Sequence, residues 1–174
     1  MHPQLQSLQD AIASATRGMS VDDLTLRPEG KWSTAEVLEH LYLTYAGTIK
    51  GCERCLREGK TLARTPTLRD WMKASLVIRL GHFPKGRKSP DRVLPKGMPP
   101  QEVLNAISST LTAMDEAIAS CEKKFGTRTN LMDHPILGPL TPQQWRKFHH
   151  VHGHHHIRQI HRLRQQLSLT NMSS

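Results

Sequence analysis

A chain of 174 residues can bury one ordinary core but not two, so it reads as a single domain over residues 1–174. Its net charge of +9, from 24 Lys+Arg against 15 Asp+Glu, favours anionic partners, yet the basic residues are scattered and do not alternate with aromatics, which argues against nucleic acid. Three cysteines, an N-terminus without a charged-then-apolar leader and no apolar run approaching a membrane span argue against a disulfide framework, secretion and membrane insertion, and lead to the expectation of a cytoplasmic protein.

Helical spacing recurs along the chain and strand signals are nearly absent. The first predicted helix runs from Pro3 to Arg17, with Leu5, Leu8, Ile12 and Ala15 on one stripe and Gly18 as its stop. The connector DDLTLRPEGKW follows and reads as a loop. In STAEVLEHLYLTYAGTIKGCERCLREG, Ser33 and Glu36 have capping-box spacing, Val37, Leu41, Tyr45, Ile49, Cys52 and Leu56 share a face, and Gly59 supplies the stop. Its C-x-x-C lies mid-helix, away from the N-terminal dipole that activates such thiols, so Cys52 is expected in the core and Cys55 partly exposed.

Leu68–Phe83 predicts a shorter helix. PKGRKSPDRVLPKGMPP after it, dense in Pro, Gly and Lys, reads as a long mobile loop. Its charges are read as solvated, the alternative being that residues 84–97 grip an anionic cofactor or cover a site. Val103, Leu104, Ile107, Leu111, Met114 and Ile118 then mark another helix, and TRTNLMDHPILGPL a linker. Thr141 is placed to cap the last helix, with Pro142 at its first position. Trp145, Phe148, His152, His156, Ile160, Leu163 and Leu167 form its inner stripe. The expected architecture is all-α: an antiparallel four-helix bundle with an extra short helix and a long loop.

That last helix carries HHVHGHHHIRQIH, residues 149–161, with seven of the chain's eleven histidines. Residues four apart on a helix sit one above the other, so His-x3-His aims two imidazoles at one ion. His152 and His156 have this spacing on the apolar stripe. His150 and His154 share it but point, with Lys147, Arg158 and Arg162, to the polar side, and His161 looks outward too. A third ligand must come from elsewhere, and His40, inward on the second long helix, is the candidate. A lone inward histidine is more often a satisfied core residue, but three converging imidazoles without an ion would strand lone pairs. His149, one turn before His152, is a weaker fourth ligand, a hydrogen-bond donor behind the ligands, a proton carrier or only the lining of the cavity mouth. His155 borders the inner face, where it can reach Gln159. Glu36, four residues before His40, either orients that ring or only caps its helix.

WSTAEVLEHL (32–41), HPILGPLTPQQW (134–145) and HGHHHIRQI (152–160) occur in an order that resembles the DinB-like (DinB/YfiT) superfamily of bacterial four-helix bundles, over nearly the whole chain. The resemblance implies a divalent metal on one histidine of the second long helix and two of the last, which here are His40, His152 and His156. It also implies a homodimer, a small-molecule substrate and thiol-dependent transfer using a low-molecular-weight thiol, some members being described instead as metal-dependent hydrolases. The surplus histidines and the basic loop depart from the family pattern.

Three protein nitrogens leave one position open, as in catalytic zinc sites; Zn²⁺ or Ni²⁺ is favoured, and Fe²⁺ or Mn²⁺ would also accept imidazole. The leading expectation is a metal-dependent thiol S-transferase with His149 or His134 as proton carrier. A hydrolase would draft Glu36 or Asp133 as base, and a structural or sensory ion would make the domain a non-catalytic ligand binder.

Overall fold

The computed structural model describes residues 1–81 and 89–171, apart from the side chains of 79–80 and 167–171. Phe83, residues 84–88 of the basic loop and the place of the Leu167 side chain on the last stripe lie outside what is described. The chain is mostly helical: α1 (Pro3–Thr16), α2 (Val21–Thr25), α3 (Thr34–Glu58), α4 (Leu68–Leu80), α5 (Pro100–Phe125) and α6 (Pro142–Asn171). A short 3-10 turn at Asp91–Val93 and one hairpin, β1 (Met132–His134) with β2 (Gly138–Leu140), complete it. No helix among the described residues is long and apolar enough to cross a membrane.

The expected stripes become the core. Leu5, Leu8, Ile12 and Ala15 of α1, Val37, Leu41, Tyr45 and Cys52 of α3, and Val103, Ile107, Leu111, Met114 and Ile118 of α5 are buried. The α3 helix packs chiefly on α5 and α1 chiefly on α6, while α6 also meets α3 and α5. The α1–α6 contact depends on a residue without a side chain: a Cβ on Gly153 would stand 2.4 Å from Leu8 Cδ1. At the start of α3 the Ser33 hydroxyl accepts from the Glu36 amide, and the Glu36 carboxylate accepts from the Ser33 amide. Thr141 and Gln144 form the same reciprocal pair at the start of α6, with Pro142 as its first residue.

Several segments differ from the sequence expectation. The connector after α1 contains α2, whose capping box joins Ser20 to Asp23. The linker before α6 contains the hairpin, in which Met132 pairs with Leu140 and His134 with Gly138. A three-residue strand is too short for period-two alternation to register in sequence. The described part of the basic loop, 89–97, is not a free solvated segment. Glu39, itself buried, accepts hydrogen bonds from the backbone amides of Lys96, Gly97 and Met98 at 2.7, 3.1 and 3.1 Å.

A buried ion pair joins α6 to α5. Arg146, 7% exposed, donates to Asp115 at 2.8 Å and to Glu122 at 2.6 Å. Asp115 also accepts from the His2 amide at 2.6 Å, which ties the start of α1 into the same network. Removing one partner strands the other charge in the core, so Arg146→Ala should lower the unfolding free energy by about 3–5 kcal/mol, as measured by urea denaturation.

Candidate metal centre

The two helices that meet at the site present their histidines by periodicity. His152 and His156 are one turn apart on the α6 stripe with Phe148 and Ile160, and His40 lies on the buried side of α3. Across the α3–α6 contact, His40 Nε2 stands 3.4 Å from His152 Nε2, which stands 3.2 Å from His156 Nε2. The three nitrogens lie within 4.8 Å of one another. Phe148 stacks on the His152 ring at 5.2 Å, and Trp32 covers His40 at the same separation.

The outer nitrogens fix the protonation of the inner ones. His40 Nδ1–H donates to the Val93 carbonyl at 2.8 Å, and a carbonyl can only accept. His156 Nδ1–H donates to Gln159 Oε1 at 3.1 Å. In the neutral rings the Nε2 lone pairs of His40 and His156 therefore both face His152 Nε2. A single Nε2–H on His152 can satisfy only one of them. Two of the three separations match a shared cation, since two nitrogens bound tetrahedrally at Zn²⁺ distances are about 3.3–3.4 Å apart, and the His40–His156 pair, within 4.8 Å, would draw in on binding. Burial holds all three rings neutral, the form that ligates a metal: it lowers His40, takes His156 down to about 3 and places His152 well below the ordinary imidazole value, the last with help from its histidine neighbours. The residues present fit a divalent transition ion, and among the described residues no fourth histidine, cysteine or carboxylate joins them.

The other sequence candidates fall outside the triad. His149 is fully buried rather than at a cavity mouth, because Trp145, Tyr45 and Phe148 rings close around it. Its Nε2 lies 3.0 Å from Thr48 Oγ1, and its Nδ1 has no partner among the described residues. His134 packs on Phe148 with ring centroids 4.3 Å apart, and its Nδ1 accepts from the amides of Ile136 and Leu137, both at 3.1 Å. Its proton is therefore on Nε2. Gln159 serves His156, not the neighbouring His155. His150 donates from Nδ1 to the Gln4 carbonyl at 2.9 Å and pairs with the His154 ring, so these two border α1.

Neither drafted carboxylate reaches the triad as a base. Glu36 is held by the Ser33 amide and pairs with Arg27 at 3.1 Å, so the Val93 carbonyl, not Glu36, orients His40. Asp133 is exposed and pairs with Arg64 at 3.4 Å. Cys52, Cys55 and Cys121 are all buried. Cys55, expected partly exposed, has no accessible surface because α3 ends against the strand segment, where its Sγ donates to the Leu131 carbonyl at 3.4 Å. Burial pushes all three thiols up, so the C-x-x-C is inert at neutral pH.

A family model described as "Protein of unknown function (DUF1569)" matches residues 2–163, so the chain belongs to that family. No curated protein and no solved structure matches it.

Burial lowers His149 and His134 to about 3 from 6.5. An unfolded chain thus binds more protons than the folded one between these values. The stability these neutral rings contribute is present above the unfolded value and is lost as pH falls toward the folded one. With chelator present, the urea midpoint should be flat above about pH 7.5 and fall steadily below about pH 6.5; NMR titration of the two rings checks the assignment.

Proposed function

For this member of the DUF1569 family we propose a metal-binding protein of DinB-like, antiparallel four-helix-bundle architecture, acting as a thiol S-transferase with a low-molecular-weight thiol and a small electrophilic substrate. The observation that carries the reading is the confrontation of three Nε2 atoms whose outer ring nitrogens on His40 and His156 are already committed. The α1–α6, α6–α3, α3–α5 and α5–α1 contacts support the bundle.

His40, His152 and His156 would hold Zn²⁺ or Ni²⁺, leaving a position for an exogenous donor. Bound there, the ion supplies Lewis acidity that favours thiolate over thiol, or hydroxide over water, near neutral pH. The residues around the triad favour the thiol. Glu36 and Asp133, the carboxylates a hydrolase would draft as base, are engaged elsewhere. A thiol is more acidic than water to begin with, so at the same ion it gives up its proton more readily. Of the two histidines considered as proton carrier, His134 keeps its Nε2–H free of the turn that its Nδ1 closes and is less buried than His149, which has no accessible surface. The Phe148 ring lies on His152 and the Trp32 ring against His40, which limits access of water to these two ligands. The exposed Leu68, Trp71, Met72 and Leu76 on α4 support the homodimer that the DinB-like resemblance implies.

Protein purified without a tag should carry about one divalent ion per chain by elemental analysis, in keeping with a three-histidine site. His152→Ala should lose most of it, and His154→Ala should keep it. Chelation should abolish thiol conjugation to a model electrophile while leaving a cooperative melt. A chain that unfolds when stripped would point instead to a structural ion and a non-catalytic domain.

A further inference from the structure

Glu39 and His40 are neighbours on α3, and both reach the same external segment. The Glu39 carboxylate, 3% exposed, takes three backbone amides in succession, those of Lys96, Gly97 and Met98. His40 Nδ1 takes the Val93 carbonyl of that segment at 2.8 Å. The chain between the two attachments is short and stiff. Pro95 fixes its own φ, and the 3-10 turn at Asp91–Val93 is closed by Val93 and Leu94 amides on the Pro90 and Asp91 carbonyls. Gly97 adopts φ +87°, which lets successive amides converge on one anion. A carboxylate accepts without a donor of its own, so no neutral side chain of the same shape satisfies all three amides.

We propose that Glu39 is a positioning residue of the metal centre. By clamping residues 96–98 it holds the Val93 carbonyl against His40 Nδ1, which keeps the proton on that nitrogen and turns the Nε2 lone pair toward His152 and His156. This rests on the metal-binding reading given above. Glu39 touches neither the ion nor a substrate; it acts through a backbone carbonyl and one ring.

The test measures Co²⁺ affinity and the Co²⁺ d–d absorption spectrum of the full chain. Glu39→Gln turns one acceptor into a donor facing an amide, and should weaken Co²⁺ binding by about 10–100-fold, the usual cost of losing a partner behind a metal ligand. The d–d band of the saturated protein should also shift. In a His156→Ala background the factor should persist, whereas in a His40→Ala background it should vanish, because the ring through which Glu39 acts is gone. Gly97→Val strains the backbone of the clamp while leaving the Glu39 carboxylate itself in place, and should weaken binding in the same direction even if Glu39→Gln fails to fold. Wild-type affinity in both single variants, or an undiminished Glu39→Gln factor without His40, overturns the proposal. A wild-type chain that binds no Co²⁺, Zn²⁺ or Ni²⁺ overturns the metal-binding reading itself.

Discussion

Three imidazole nitrogens pointed at one another in a water-poor interior form an arrangement that a neutral protein cannot satisfy alone. Two of the rings carry their proton on the outer Nδ1, where it is donated to an acceptor, and the third can donate in one direction only. A stranded buried acceptor costs about 1–3 kcal/mol. The fold holds this arrangement by packing α6 against α3 and by closing the rings with Trp32 and Phe148. A cation held there would turn that local cost into a gain and so couple occupancy of the site to the stability of the helices that build it.

The α6 helix divides its polar side chains between two tasks. On one side the histidines meet α3. On another, Arg146 reaches α5 and ties it, through Asp115, to the start of α1. Gly153 brings α1 close enough to seal the remaining side. The helix is therefore fixed in rotation by a salt bridge, a close approach and a ring cluster within a few turns. His155, one residue from His156, and His161, five residues beyond it, remain outside the triad for that reason.

Periodicity made the triad legible. His152 and His156 fall on the same stripe as Phe148 and Ile160, and His40 falls with Val37 and Leu41, so a helical reading alone selects them from eleven histidines. Helix starts were legible where a side chain caps its own backbone, as at Ser33 and Thr141. Ser20 and Asp23 carried the same signal for α2, but the proline and glycine that follow hid it. What sequence could not show was contact over long separations through the backbone. Glu39 looks like a solvated helix residue until residues 96–98 arrive from across the chain, and Val93 acts through its carbonyl, which no side-chain pattern encodes. Cys55 was misjudged because its cover comes from the Leu131 segment, not from a helix whose phase could be predicted. The assignment of Gln159 to His155 failed by one residue, a rotation of about 100° on a helix.

The burial of every cysteine has a meaning beyond packing. An accessible cysteine thiolate is open to alkylation by any electrophile the protein meets. Here the native sulfhydryls are sequestered at the far end of α3 and on α5, held in the protonated state by their surroundings. Alkylation by that route is closed in the native state, and an oxidant meets no accessible cysteine to convert into a cross-link between chains.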